Sequence, residues 1–435
     1  MKKIISLLIT VPILFSVVTG CSQKAVSQKT VSSKPKTTTI NFLIVSDDKV
    51  LQPTIDLYEK ENPGVKINLE VLPQDSLFQT IDVRLSAGDK TIDAMLVDAP
   101  LIANYAVKGY TVDLDKYVDA SAKKNLTTSS VQACTYNGKL QALPLNSSCV
   151  ELYYNKDIFA AKGVTPPTDD VNNRWTWEQV TAAAQKLTYT NNGKKVWGLT
   201  FEQINTPYQL LPLGQSLGAD KLVSDDGLTT TGFTNSAAMI KGAQFYYDTF
   251  NTWKISPKIS GSDSVSYFTS GQVAMFVGGS WQTPAMQAAK MNFGYAPHPY
   301  FQGGVPVTPT GSWCVGVSSF STQKAAAAKF VQFFTTDNQA CQLNLQYGQN
   351  LPCNVNVLNN INTDPKYSTF PSDVVKLAVY ESMHTAMIRP QLAGYDEWQT
   401  NMESAYSDIE NGEQPAKALD AATVAIDPLL QKYKQ

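Results

Sequence analysis

From Ile40 to Val97 the chain repeats an alternation that leaves few folds open. Ile40-Asn41-Phe42-Leu43-Ile44-Val45 is short, apolar and rich in β-branched residues, and it breaks at Ser46-Asp47-Asp48, as a buried strand does on entering a loop. Pro53, with Ile55, Leu57 and Tyr58 after it, opens a helix that stops at Asn62-Pro63-Gly64. Residues 65 to 71 alternate apolar and polar, which predicts a strand; a second helix runs from about Gln74 to Ser86 and ends at Gly88; Ala94 to Val97 is again a short strand. Strand, helix, strand, helix, strand predicts a mostly parallel α/β sheet. Ligands of such sheets gather at the carboxyl ends of the strands, here the loops holding Asp47, Asp48 and Asp98.

Further on, Thr176-Trp177-Glu178-Gln179 is a capping box opening a helix through Leu187. Met239, Ala243, Tyr246 and Phe250 fall at helical spacing, Ala325 to Phe334 is helical, and Leu419, Ala422, Ile426 and Leu429 mark a closing amphipathic helix. Ala274-Met275-Phe276-Val277 is a strand that delivers Trp281 through Gly278-Gly279-Ser280, a stretch read as flexible backbone. The pattern is two α/β units with a helical tail, which suits a chain of 435 residues at about 150 residues per domain.

The N-terminus sets the compartment. Met1-Lys2-Lys3 precedes an apolar run from Ile4 to Val18, too short to span a bilayer, which ends in Val18-Thr19-Gly20-Cys21. This has the form of a bacterial lipobox, so cleavage before Cys21 and lipidation of its sulfur are expected. Residues 22 to 39 are polar and form a flexible tether. The expected location is outside the cytoplasm, anchored by lipid to the outer face of the cell membrane. Without Lys2 and Lys3, the 35 Lys and Arg become 33 against 37 Asp and Glu. That balance argues against a basic nucleic-acid surface. Two histidines, His298 and His384, and no Cys-x-x-Cys argue against a His/Cys metal site.

One catalytic pattern is formally present. Gly214-Gln215-Ser216-Leu217-Gly218 satisfies G-x-S-x-G, but Pro212 sits in the supposed strand and turn residues follow where a helix should start. Carboxylates of Asp47, Asp48, Asp98 and Glu151 offer a hydrolytic pair only if their spacing suits one. The aromatic residues are more informative: 20 Tyr, 17 Phe and 7 Trp accompany only 17% charged residues. Tyr208 after Pro207, Trp281 after Gly279, Trp313 after Gly311 and Tyr395 after Gly394 lie at expected loops or strand ends. Such rings with carboxylates, amides and an arginine suit a carbohydrate, whose C–H faces pack on rings while its hydroxyls take hydrogen bonds. With only Arg84, Arg174 and Arg389 in the chain, Arg389 is expected to be a fork-shaped donor to the ligand.

Several segments together resemble one family. They are Tyr136-Asn137-Gly138-Lys139-Leu140-Gln141-Ala142-Leu143-Pro144, Val150-Glu151-Leu152-Tyr153-Tyr154-Asn155-Lys156-Asp157-Ile158-Phe159, the stretch from Ser270-Gly271-Gln272 to Gly279-Ser280-Trp281, and Arg389-Pro390 followed by Gly394-Tyr395. In this order they are similar to family 1 extracellular solute-binding proteins, the sugar-binding lipoproteins related to maltose-binding protein. The resemblance implies the periplasmic-binding-protein type II fold: two α/β lobes, joined by hinge crossovers, that close on a carbohydrate and present it to the permease of an ABC importer. It implies a monomeric binding protein rather than an enzyme, with no cofactor or metal. Residues 1–20 would be the leader, 21–39 the tether, 40–147 with 315–348 the N-lobe, and 148–314 with 349–435 the C-lobe. Crossings would lie near Ser147 to Val150, Cys314 to Ser318, and Gln346 to Leu351.

Carried over by position, ligand contacts would fall on Asp47 or Asp48, Asp98 and Ser148, then on Tyr208, Trp281 and Tyr395, with Trp313 and Arg389 as further contacts. Gly279-Ser280-Trp281 departs from the Gly-Pro-Trp of many relatives, and cysteines occupy Cys149 and Cys314 at the hinge. The resemblance makes Cys149 with Cys314, and Cys341 with Cys353, the pairs to examine, leaving Cys134 alone. The alternatives are a secreted hydrolase acting on carbohydrate or ester, and a sugar-sensing accessory of a membrane histidine kinase.

Overall fold

The computed structural model describes residues 37–45, 48–310, 313–348 and 351–434. The leader, Cys21, the tether through Lys36 and Asp47 lie outside them. In chain order the strands that frame the molecule are β1 (Thr38–Ile44), β2 (Val65–Val71), β3 (Ala94–Asp98), β4 (Ala142–Ser147), β5 (Val150–Asn155), β6 (Tyr189–Asn191), β7 (Lys194–Phe201), β8 (Val273–Gly279), β9 (Phe293–Ala296), β10 (Thr308–Pro309), β11 (Trp313–Val317), β12 (Leu351–Pro352) and β13 (Ala386–Met387).

Two sheets take all but β10 and β13, which pair with each other in parallel. The first runs β12-β4-β11-β3-β1-β2 and the second β9-β5-β8-β7-β6. Only β1 with β2 and with β3 pairs parallel in the first sheet, because β11 returns from the second sheet and enters antiparallel between β3 and β4. The sheet is therefore mixed where local alternation predicted a mostly parallel one. β1 also begins earlier than expected: Thr38 and Thr39, assigned to the tether, pair with Val65 and Lys66. Threonine suits a pleated strand.

The helices expected at 74–86 and 177–187 form over Gln74–Ser86 and Trp177–Leu187, the latter with a complete capping box at Thr176 and Gln179. The helix Lys324–Thr336 packs on the first sheet through Phe330 and Phe334, each edge-on to Phe42 at 5.6 Å between centroids. Burying a side chain such as Phe42 contributes roughly 1.5–3 kcal/mol. In the closing helix, Pro415–Leu430, Leu419, Ala422, Ile426 and Leu430 are buried while Leu429 faces outward. The inward stripe thus ends one residue later than expected.

The first crossing between sheets, from Ser147 to Val150, lies where it was expected. The second lies earlier, since Trp313 and Cys314 already stand in β11, paired with Asp98 and Val97. The third lies later, since Leu351 and Pro352 still pair with β4. The thiols also differ from the expected arrangement. Cys314 Sγ lies 2.6 Å from Cys134 Sγ, while Cys149 Sγ donates to Ala378 O and Cys341 Sγ to Thr335 O. Cys314 belongs to the first sheet, next to the end of the helix Thr128–Ala133, and Cys149 turns toward the helix Val374–His384.

Among the described residues no helix is long and apolar enough to cross a membrane.

Candidate functional site

Between the two sheets opens a cleft of about 540 Å³, within the ~300–1,000 Å³ common for small-molecule sites. The elements around it bring together Asp98, Ser148, Tyr208, Trp281, Trp313, Arg389 and Tyr395. These seven are spread along the chain from Asp98 to Tyr395. Asp47 lies outside the described residues, and the backbone at Asp48 opens the helix Asp48–Glu61.

On the side of the first sheet, β3 ends at Asp98 and the neighbouring β11 begins at Trp313. The Trp313 ring stacks on Phe78, at 6.0 Å and 16° between planes. Phe78 belongs to the helix Gln74–Ser86. The Trp313 N–H donates to Asn146 Oδ1 at 3.2 Å, which fixes the strand's first residue and leaves the ring against the cleft.

On the other side stand Tyr208 and Trp281, with centroids 6.5 Å apart and planes at 31°. Pro207 begins the helix Pro207–Gln215, where its missing N–H costs nothing. Tyr208 follows it, and its hydroxyl shares a 2.9 Å hydrogen bond with Ser148 on the first crossing. Trp281 follows β8, and Gly279 is needed there for space rather than for freedom. Its backbone is extended, and a Cβ would collide with the Trp281 ring. The Gly-Gly run read as flexible is the last part of a strand whose every residue is buried.

Arg389, two residues after β13, reaches across the cleft. Nη1 donates to Asp98 Oδ2 at 2.9 Å and Nη2 donates to Asp98 Oδ1. Both ends of the fork expected to serve the ligand thus engage the Asp98 carboxylate, while Nε has no hydrogen-bond partner among the described residues. The guanidinium also lies 5.2 Å from the Tyr208 ring centroid and 5.8 Å from that of Tyr395. Burial raises the Tyr395 phenol to about 12 despite Arg389, so the ring presents a neutral hydroxyl. Asp396 beside it is raised above its ordinary range, chiefly by burial. Of the charged groups facing the cleft, Asp98 and Arg389 are paired, and the remaining polar lining includes Asn146, Gln203, Thr206 and Gln399.

Sequence reasoning missed these amides and Phe78. Phe78 lies on an amphipathic helix, where a lone aromatic reads as core. Gln203 and Thr206 follow β7 at a strand end, and that position was the available signal.

The G-x-S-x-G run has another cause. Gly214 and Gln215 end the helix Pro207–Gln215, and Ser216 is buried with its Oγ accepting from Phe301 N–H at 3.1 Å. A Cβ on Gly242, in the helix Ala237–Phe250, would come 2.5 Å from Gly214 N. Gly214 therefore serves helix-to-helix contact, not a nucleophile elbow. His298 is buried, with its imidazole pushed down to about 3, first by burial and then by Arg174.

Comparison with known proteins follows the same lines. A family profile described as bacterial extracellular solute-binding protein matches residues 44–340. The chain is 25% identical over 391 residues to a maltodextrin-binding protein of Bacillus subtilis, with 86% of each chain covered. It is 23% identical over 410 residues to a galactooligosaccharide-binding protein of the same organism, covering 93% of this chain and 91% of that one. Among solved structures, an ABC substrate-binding protein of Listeria monocytogenes in complex with cycloalternan superposes with a TM-score of 0.79 at 26% identity, covering 91% of this chain and 99% of the other. The fold is the type II periplasmic-binding-protein fold, and members of this family bind solutes rather than transform them. By the profile match across most of its length, together with a cleft framed by two α/β sheets, this chain belongs to the bacterial extracellular solute-binding protein family.

Proposed function

We propose that the cleft captures a carbohydrate and that the protein delivers it to the permease of an ABC importer. One observation carries this reading: two pairs of aromatic rings, Phe78 with Trp313 and Tyr208 with Trp281, face one polar cleft from opposite sides. Rings on both sides can receive the apolar faces of sugar units. Asn146, Ser148, Gln203, Thr206 and Gln399 supply amides and hydroxyls for the equatorial edges. The saccharides named for the relatives above support the same class.

In this reading the segments 40–147 and 315–348 form one lobe, and 148–314 and 349–435 the other, with the strand ends shifted as described. The lobes close about the crossings, and the Asp98–Arg389 pair bridges their facing edges. Asp98, Ser148, Tyr208, Trp281, Trp313, Arg389 and Tyr395 line the bound ligand, with Asp47 or Asp48 beside them. Lipidation at Cys21 tethers a monomeric receptor to the outer face of the membrane, and no step of catalysis is involved.

The test is calorimetry of the purified domain against maltotriose, galactooligosaccharides and cycloalternan, with tryptophan fluorescence in parallel. Saturable heat and a fluorescence change with at least one are expected. Silence across the panel in both signals would sink the carbohydrate assignment. Mass spectrometry of the membrane-extracted protein should find the lipid on Cys21; a mature chain without it removes the anchor.

A further inference from the structure

We infer that Glu202, which does not line the cleft, is the positioning residue of the ligand-stacking tryptophan. Glu202 follows β7, is 6% exposed, and has a carboxylate surrounded by donors. Oε1 accepts from the Trp281 indole N–H at 2.7 Å and from the Gln282 side-chain amide. Oε2 accepts from Gly279 N–H at 2.8 Å and from Gln209 Nε2 at 2.9 Å. Four donors from two segments, the stretch from Gly279 to Gln282 and the helix Pro207–Gln215, meet the four acceptor sites of one carboxylate, two on each oxygen.

The arrangement leaves the indole few alternatives. Its ring is held over Gly279, where no side chain fits, and its indole N–H points to a buried carboxylate; burial raises the Glu202 pKa, but donors at all four acceptor sites are the arrangement of the ionised form, which makes the hydrogen bond a charge-assisted one. The same carboxylate orients the cleft's polar edge. With Gln209 Nε2 held by Glu202, Gln209 Oε1 faces the Gln203 backbone and accepts its N–H at 3.0 Å. Gln203 lines the cleft. Glu202 thus fixes a stacking face and a polar loop together before any ligand arrives, so neither has to be ordered on binding. A glutamine in its place keeps the shape but turns two of the four acceptor sites into donors, opposing the amides and N–H groups that now converge there.

This inference rests on the carbohydrate reading only for its effect on affinity, and the test separates the two. In ligand-free protein labelled with nitrogen-15, the indole N–H resonance assigned by Trp281→Phe should move upfield in Glu202→Gln, as expected for loss of an anionic acceptor. With maltotriose as probe, Glu202→Gln should bind about tenfold more weakly. In the Trp281→Phe background the same substitution should cost clearly less, about threefold, because the part of its effect that passes through the indole is already gone and only the part through Gln209 and Gln203 remains.

An unmoved indole resonance overturns the inference, as does full additivity of the two substitutions or unchanged affinity in Glu202→Gln. Should Glu202→Gln fail to fold, Trp281→Phe alone decides: it keeps a stacking ring and loses the anchor, so wild-type affinity in that variant overturns the inference and a several-fold loss supports it. If wild-type protein ignores maltotriose, the sugar reading suffers, and the anchor stands or falls on the resonance.

Discussion

The two walls of the cleft hold their tryptophans by different means. Trp313 leans on Phe78, ring on ring, with its own backbone tied to Asn146. Trp281 is held through its side-chain N–H by a buried carboxylate. Behind the second wall lies a further buried acid, Glu151 in β5, paired in register with Gly278 of β8. One wall is thus positioned by dispersion and area, which tolerate small shifts, and the other by directional bonds to charge, which do not. A cleft that closes on its ligand can use both: a fixed face to set the sugar's register, and a compliant face to settle against it.

The largest effect is expected where the walls meet. Arg389→Ala leaves Asp98 without its counter-charge in a site where the two side chains are 11% and 19% exposed. It should lower unfolding stability by about 2–3 kcal/mol, toward the low side of values for buried pairs because some solvent reaches it. Chemical denaturation measures this, and a change below about 0.5 kcal/mol would mean the bridge holds nothing.

Trp281→Ala should weaken saccharide binding by about 2 kcal/mol, and Phe78→Ala by about 1 kcal/mol, since the latter removes only the backing of Trp313. Calorimetry with the best ligand of the panel gives both numbers. Equal losses would erase the distinction between a fixed and a compliant wall.

The smallest effect concerns Glu151. Burial first, and then Glu381, hold its carboxyl well above the ordinary range, and Oε1 has no hydrogen-bond partner while Oε2 accepts from the Tyr153 hydroxyl at 3.2 Å. A carboxyl with its folded-state pKa raised contributes its full stability below the unfolded value and loses it as pH rises through the folded one. Glu151→Gln should therefore be more stable than wild type by about 1 kcal/mol near pH 8, with a gain that shrinks toward pH 4.5. A gain that stays constant with pH would assign the effect to something other than ionisation.

Much of this was legible in the sequence, and the residues show why some was not. Trp281 and Tyr208 could be found because glycine and proline mark the ends of elements, and those marks are local. β2 follows from its alternation and β1 from its short apolar run, signals that are local too; the helix between them was also found, but it begins at Asp48 and holds Pro53 inside it instead of opening there. The entry of β11 between β3 and β4 depends on partners more than 160 positions away in the chain, and no local pattern encodes it. The pairing of Asp98 with Arg389 spans 291 positions, so each could be named as a site residue but not as the other's counter-charge. Glu202 was hidden by its type: Phe201-Glu202-Gln203 reads as a strand running out into solvent, and only the fold reveals that donors gather around the acid.

The contact between Gly214 and Gly242 has a consequence for the second wall. The helix that carries Tyr208 at its start touches its neighbour backbone to backbone near its end. Its standoff is therefore set by peptide atoms that have no rotamers to adjust. The depth of the cleft on that side is calibrated by two absent methyl groups, and adding one would shift the whole aromatic face as a rigid piece before any residue that meets the ligand had changed.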